Sequence, residues 1–282
     1  MTTAAAPRWT VNLSILFTEL PLLDRPAAAA AAGFTAAELW WPFDDDPSPA
    51  DSDVAALRRA FTDAGIRLSG LNLLDDLGRG ERGTLSDPAQ TDRFRANLPV
   101  AVGLAEELGC TALNALYGNR VPGLDPADQD ELALENLALA ARAAHDIGAV
   151  LLVEALNAHE SPRYPLVSAR AAVAVVDRVN EVTGLGNARF LCDVYHLSRM
   201  GEDPLAVVDA HADRIGHVQI ADVPGRNQPG TGSLDLPALL DRLAAHGYPG
   251  LIGLEYRPTG PSAASLDWLP RGERADRREA LR

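Results

Sequence analysis

The stretch VLLVEAL, residues 150–156, indicates the fold because similar short apolar runs recur along the whole chain. It is a short apolar run with a single acidic residue, and it follows a longer stretch of helical spacing that ends at Gly148. Buried parallel strands have this composition, and glycine is typical of the position just after a helix. We therefore predict a helix, a turn and then a buried strand in this part of the chain.

Seven other apolar runs have the same character and are separated by stretches with helical spacing, such as 89–108, 130–147 and 169–180. The runs are TVNLSILF (10–17), AAELWWP (36–42), RLSGLNLL (67–74), ALNALYG (112–118), RFLCDVYH (189–196), IGHVQIAD (215–222) and LIGLEYRP (251–258). Helix ends are expected before Gly33, Gly65, Gly109, Gly148 and Gly247, and helix starts at Asp24, Ser52, Asp87, Ser168 and Asp235. Eight such alternations predict an α/β protein with a (β/α)₈ TIM barrel. We expect a single barrel domain over 9–270, a flexible N-terminus over 1–8 and a polar C-terminal tail over 271–282.

Composition excludes several classes of function. The net charge of −14 over 282 residues disfavours nucleic acid as a partner. All 25 basic residues are arginine, so no lysine is present for a Schiff base, a pyridoxal phosphate linkage or a P-loop. Two isolated cysteines form neither a disulfide framework nor a zinc knuckle. The chain shows no signal peptide and no apolar run of membrane-spanning length, so we expect a cytoplasmic protein without a membrane partner.

Four polar residues stand late in the last four predicted strands. They are Glu154, Asp193, Gln219 and Glu255, at intervals of about one βα unit. The active site of such barrels lies at the carboxyl ends of the strands, so we expect these side chains to converge there. Buried carboxylates are costly unless something neutralises them. An all-oxygen set of three carboxylates and an amide suits Mg²⁺ or Mn²⁺, and arginine ion pairs are the structural alternative.

Other polar residues lie close to these four in the sequence. His196 follows Asp193 by three residues, Glu160 follows Glu154 by six, and Arg226 opens the loop after the seventh strand. His217 points the same way along its strand as Gln219, either towards the site or into the core. Trp40 and Trp41 end the second predicted strand, where one of them is expected to wall the pocket.

These residues resemble the hydroxypyruvate isomerase family of xylose isomerase-like barrels, from about Asn12 to Leu269. The matching motifs are NLSILF, GERG at 80–83, the ExxN of EALN, DVYHLSRM, GHVQIADVPGR followed by PGTG, and GLEY. The chain departs from the usual family pattern at Ala155, at 158–160, at Ser233 and in the loop NLLDDLGRGERG, which all line the expected pocket.

The resemblance implies a role for each candidate residue. Glu154, Asp193, Gln219 and Glu255 match ligands of a divalent metal, Mg²⁺ or Mn²⁺ with Co²⁺ as a further option, and the two glutamates also match the acid/base pair. Glu160, His196 and Arg226 match substrate-contacting positions. The resemblance also implies self-association into a homo-oligomer.

The implied reaction is the isomerisation of a small 2-hydroxy carbonyl compound through an enediolate, with hydroxypyruvate converted to tartronate semialdehyde. The carboxylate of such a substrate needs a cationic partner, and Arg226, Arg79 and Arg82 are the available residues. The alternatives are 2-oxo-tetronate isomerisation, ketose 3-epimerisation and an inosose dehydratase-like lyase on the same barrel. A metal-dependent abasic-site nuclease fits the acidic chain poorly, and a non-catalytic role leaves the four residues unexplained.

Overall fold

In the computed structural model, which describes residues 6–75 and 77–276, eight parallel strands pair in sequence order and close into a barrel. The predicted (β/α)₈ barrel is confirmed, with one strand inside each of the eight apolar runs or overlapping it. The strands are β1 Trp9–Asn12, β2 Ala36–Leu39, β3 Arg67–Asn72, β4 Ala112–Asn114, β5 Val150–Glu154, β6 Ala188–Asp193, β7 Ile215–Ile220 and β8 Ile252–Leu254.

The strands are shorter than the apolar runs that predicted them. β2 ends at Leu39 and β8 at Leu254, so Trp40 and Glu255 are the first residues beyond their strands. β7 continues to Ile220, so Gln219 is its penultimate residue and not its last. The apolar residues that follow each strand are buried in the loops above the barrel, which is why hydrophobicity alone extends the runs.

α-Helices follow the first seven strands, with two of them after β6, whereas β8 is followed by two short 3₁₀ helices, Ala264–Leu266 and Arg271–Glu273. The α-helices are α1 Arg25–Ala32, α2 Asp51–Ala64, α3 Thr91–Glu107, α4 Pro126–Asp146, α5 Ala169–Thr183, α6 Val194–Arg199, α7 Pro204–His211 and α8 Leu236–Ala245. Ser168 caps α5 and Asp235 caps α8 as expected, each accepting a backbone N–H with its side chain. The prediction for Ser52 is wrong, because α2 begins one residue earlier, at Asp51.

All five glycines expected after helices have positive φ, between 65° and 101°. This left-handed conformation suits glycine because it has no Cβ to clash with the backbone. The prediction that a glycine ends the helix is therefore confirmed at each of these five positions.

The two ends of the described chain meet. The Asp276 carboxylate is fully buried and forms an ion pair with Arg8 at 2.5 Å. The Arg274 guanidinium donates to the carbonyl oxygens of Leu269, Ala32 and Leu266. Residues 271–273 of the polar tail are exposed, whereas Arg274 and Asp276 are buried, so the expectation of a solvated tail is wrong for these two residues. Residues 1–5 and 277–282 lie outside the described residues. No helix within the described ranges is both long and apolar enough to cross a membrane.

Candidate active site

A cavity of about 770 Å³ opens at the carboxyl ends of the strands, which we call the mouth of the barrel. Its walls are formed by residues that follow β1 to β8, with Trp40, Trp41, Leu116 and Leu156 among the apolar ones. Charged side chains also line it, among them Arg82, Glu154, Glu160, His196, Arg226 and Glu255. The position agrees with the general location of active sites in this fold.

Glu154 and Asp193 are buried side by side in this mouth. One oxygen of each lies within 4.8 Å of the other and of a His196 ring nitrogen. The Asp193 Oδ1 accepts the backbone N–H of His196 and so caps α6, and the Glu154 Oε2 accepts Asn114 Nδ2 at 2.8 Å. Burial, reinforced by the neighbouring carboxylates, raises the pKa of both acids well above the ordinary range.

Glu255 is held by three close donors, one of which is the cationic side chain of Arg226. Its Oε1 accepts Trp40 Nε1 at 2.7 Å and Asn12 Nδ2 at 2.9 Å, and its Oε2 accepts Arg226 Nη2 at 2.6 Å. Burial by itself would lower the pKa of Arg226, but the surrounding carboxylates raise it, so the guanidinium stays charged. Arg226 also lies 3.8 Å from Asp193 Oδ2, so the alternative of arginine ion pairs holds closely for Glu255 and more weakly for Asp193.

Gln219 lies next to Asp193, its partner in the pairing of β6 and β7. The Gln219 Nε2 donates to Glu38 Oε2 at 2.8 Å and lies 3.5 Å from Glu255 Oε1. Its Oε1 is buried and has no hydrogen-bond partner among the described residues. An unpartnered buried acceptor beside several carboxylates is the environment in which a cation would bind.

The His196 ring is oriented by Asn157. The Asn157 backbone N–H donates to Nδ1 at 3.1 Å, so Nδ1 accepts and the proton of the neutral ring lies on Nε2. Burial, with a contribution from Arg226, lowers the pKa of His196 well below its usual value. The ring is therefore neutral, and its Nε2–H is a donor that lies 3.7 Å from Asp193 Oδ2. This arrangement favours a contact with a substrate oxygen over metal ligation.

Glu160 and Arg82 lie on the rim of the same cavity. The Tyr195 hydroxyl donates to Glu160 Oε1 at 2.6 Å, and this bond contributes to lowering the pKa of Glu160 although burial alone would raise it. Arg82 donates from Nε to Ser161 Oγ at 2.9 Å. Arg79, by contrast, is exposed and pairs with Asp45, so it is not a residue of the pocket.

Sequence reasoning missed four polar residues that support the site, Asn12, Glu38, Asn72 and Asn114. The three asparagines are the last residues of β1, β3 and β4, and Glu38 is the one acidic residue in AAELWWP. Asn114 links Glu154 to Asn72, whose Nδ2 donates to Asp75. These residues stand late in their strands, but Asn12, Glu38 and Asn114 are only third in the apolar runs given above. Those runs continue into the buried loops, so position within a run does not identify them.

Comparisons with known proteins agree on the family. Residues 26–272 match the xylose isomerase-like TIM barrel family. The chain is 67% identical to a Streptomyces coelicolor protein provisionally named a hydroxypyruvate isomerase, over 97% of this chain and 99% of that one. It is 32% identical to the hydroxypyruvate isomerase of Escherichia coli K12, over 93% and 98% of the two chains. It is 35% identical to the 2-oxo-tetronate isomerase of Cupriavidus necator, over 93% and 97%.

A solved structure has the same architecture. A Brucella melitensis protein described as an AP endonuclease of family 2 superimposes with a TM-score of 0.83. It is 34% identical in sequence, and the match covers 93% of this chain and 97% of that one. The two proteins therefore have the same barrel fold over nearly their whole lengths.

Proposed function

The chain belongs to the xylose isomerase-like TIM barrel family and is an isomerase, and on that premise we propose that it interconverts hydroxypyruvate and tartronate semialdehyde. One observation carries the proposal, together with the relatives at 67% and 32% identity. Three buried carboxylates, Glu154, Asp193 and Glu255, share a single close guanidinium at the mouth of the barrel. When all three carboxylates are ionised, two negative charges exceed that guanidinium, which is the charge that a divalent cation neutralises.

We assign Glu154, Asp193, Gln219 and Glu255 as the ligands of that cation. The donor set fits, because the Gln219 Oε1 lacks a partner and the pKa of Glu154 and of Asp193 is raised by burial and by the neighbouring carboxylates. All four donors are oxygens, which favours Mg²⁺ or Mn²⁺, with Co²⁺ as a further candidate. When bound, such a cation polarises the substrate carbonyl and stabilises the negative charge that develops on its oxygen.

The protein's own groups move the protons. One of Glu154 and Glu255 removes a proton from the hydroxyl-bearing carbon of hydroxypyruvate, and the other returns a proton to the neighbouring carbon, while the hydroxyl proton passes to the former carbonyl oxygen. Glu154 is the last residue of β5 and Glu255 directly follows β8, and both side chains line the same cavity. The neutral His196 donates from Nε2 to a substrate oxygen, which balances charge as the enediolate forms.

The substrate carboxylate requires a cationic partner in this acidic pocket. Arg226 is the first candidate, because its guanidinium is buried over the Tyr195 ring at 5.2 Å and its Nε has no partner among the described residues. Arg82 is the second, since its half-buried side chain lines the same cavity. Glu160 holds Tyr195 in place beside this position.

A second candidate function uses the same machinery on a longer acid. A cavity of about 770 Å³ is larger than hydroxypyruvate requires, and the Cupriavidus necator relative is a 2-oxo-tetronate isomerase. We place this activity second because the S. coelicolor relative shares 67% of its residues with this chain, against 35% for the C. necator relative.

The experiment that tests the proposal is a substrate panel. The Mg²⁺- or Mn²⁺-loaded protein is incubated separately with hydroxypyruvate, 2-oxo-tetronates, free ketoses and an abasic-site DNA duplex, and products are followed by NMR or, for DNA, by gel. We expect the highest kcat/KM for hydroxypyruvate. A higher value for a 2-oxo-tetronate moves the assignment to the second candidate, and cleavage of DNA or preference for a neutral ketose contradicts both.

A further inference from the structure

Glu38 lies inside the barrel, between the mouth and the opposite end. Its Oε2 accepts Gln219 Nε2 at 2.8 Å, and its Oε1 is bonded to His217 Nε2 at 2.7 Å. The residue is 3% exposed. Because each carboxylate oxygen has its own hydrogen-bond partner, Glu38 is fixed in one orientation. It contacts Gln219, the only uncharged member of the proposed ligand set.

This contact decides which end of the Gln219 amide faces Glu38. The Glu38 Oε2 accepts from the NH₂ group of Gln219, so the carbonyl oxygen of that amide is turned away from Glu38. The Glu255 Oε1, 3.5 Å from the same nitrogen, favours the same orientation. The consequence is the buried Gln219 Oε1 that no described group satisfies.

Two glycines leave the room that Glu38 occupies. A Cβ on Gly253 would lie 2.5 Å from Glu38 Oε1, and a Cβ on Gly70 would lie 3.2 Å from Glu38 Cγ. Neither glycine has positive φ, so their backbone conformation does not call for glycine. Both are neighbours in the strand pairing, Gly70 of Glu38 itself and Gly253 of Gln219. The absence of a Cβ at Gly70 in β3 and at Gly253 in β8 therefore leaves the space that the Glu38 side chain occupies.

We propose that Glu38 is a positioning residue, which holds the Gln219 amide so that its carbonyl oxygen is presented to the divalent cation. The inference rests on the proposed function, since it concerns a ligand of the proposed metal. Groups that orient metal ligands in this way typically contribute about 10- to 100-fold to metal affinity. We assign this role to the hydrogen bond of Glu38 and not to its charge. Variants that change the hydrogen bond and the charge independently can therefore test it.

The first test measures Mn²⁺ affinity by isothermal titration calorimetry on the chelator-treated protein and its variants. Glu38→Gln keeps the shape of the side chain but lets its own NH₂ group meet Gln219, and we expect the dissociation constant to rise by about 10-fold or more. Glu38→Asp keeps the charge but shortens the reach, and we expect a loss of similar size. Retention of wild-type affinity by Glu38→Asp would mean that charge alone acts, and would overturn the proposal.

The second test observes the Gln219 amide directly and needs no metal. The chain has four glutamines, so ¹⁵N-glutamine labelling gives four side-chain NH₂ pairs, and Gln219→Glu identifies the pair of Gln219 by its disappearance. We expect this pair to exchange slowly with solvent in the wild type and faster in Glu38→Asp. An unchanged exchange rate would contradict the hydrogen bond on which the proposal stands.

Gly70→Ala extends the test to a chain that keeps every charge and every ligand. The three atoms nearest its new Cβ all belong to the Glu38 side chain, at 3.2 to 3.7 Å. We therefore expect a smaller rise in the Mn²⁺ dissociation constant, about 3-fold or more, with a folded barrel by circular dichroism. If the wild type binds no Mn²⁺, the metal site and this inference fail together. If the wild type binds and all three variants bind equally well, only the positioning role is overturned.

Discussion

The two ends of the barrel differ in how many cationic partners their buried carboxylates have. At the amino ends of the strands, which we call the floor, the Asp276 carboxylate lies 2.5 Å from Arg8 and 4.0 Å from Arg67, so one anion has two cations. At the mouth, three carboxylates share the close guanidinium of Arg226, which lies 2.6 Å from Glu255 and 3.8 Å from Asp193. Each end also has a cavity, of about 610 Å³ at the floor and 770 Å³ at the mouth.

This difference separates stability from function within one fold. A buried charge with matched partners joins the segment at Asp276 to the barrel at Arg8, whereas clustered like charges raise the free energy of the folded protein. The mouth keeps carboxylates whose pKa is driven upwards, an arrangement that is common where chemistry takes place. Substitutions at the mouth should therefore change activity more than stability, and substitutions at the floor should do the reverse.

The largest effect is expected for the two glutamates of the mouth. Glu154→Gln and Glu255→Gln should each lower kcat by about 10²-fold or more, because each removes a positioned acid or base. The double variant should lose far less than the product of the two, since both groups act on one intermediate. Exchange of substrate C–H for deuterium, measured by NMR, is the readout. Wild-type exchange in either single variant would remove that residue from the acid/base pair.

The next effect concerns recognition of the substrate acid. Arg226→Met keeps much of the apolar stem but removes the charge, and should reduce kcat/KM for hydroxypyruvate by about 2–5 kcal/mol in transition-state stabilisation. Any weak turnover of neutral ketoses should decrease much less. Equal losses on acid and neutral substrates would show that Arg226 acts through Glu255 and not on the substrate carboxylate.

At the floor, Asp276→Asn should reduce the free energy of unfolding and leave catalysis intact. The variant breaks a pair with a fully buried carboxylate and a partly exposed Arg8, so we expect a loss of about 1–3 kcal/mol. Urea unfolding followed by circular dichroism measures it, with kcat per folded molecule as the control. A loss of activity at unchanged stability would contradict the division between the two ends.

The smallest effect should have the opposite sign. In the metal-free protein, Asp193→Asn removes one of the repelling charges and still caps α6, so we expect a gain of about 1 kcal/mol in the free energy of unfolding. Because the pKa of Asp193 is raised in the folded state, its charged form destabilises the wild type at pH values above its ordinary pKa of 3.8. The gain should therefore appear at neutral pH and shrink as the pH falls. A loss of stability at pH 7 would mean that this carboxylate is already compensated.

The sequence predicted the barrel because an apolar run followed by helical spacing repeats eight times. It also predicted that the polar side chains of β5–β8 meet at the mouth, because the carboxyl ends of parallel strands all lie there. It did not predict the hydrogen bonds that cross the barrel, since Glu38 and Gln219 are 181 residues apart. The same reason explains why Arg226 was expected to be free for substrate, although it bonds to Glu255. The burial of Asp276 was missed because a charged tail looks solvated until its partner at Arg8 is known.

The central claim, that the mouth holds two negative charges in excess for a divalent cation, is tested most directly by titrating Mn²⁺ into the chelator-treated protein while following thermal unfolding. We predict one ion bound per chain and a rise in melting temperature, both retained in Asp276→Asn and both weakened strongly in Asp193→Asn. Absence of binding, or equal binding and stabilisation in Asp193→Asn and the wild type, would contradict the claim.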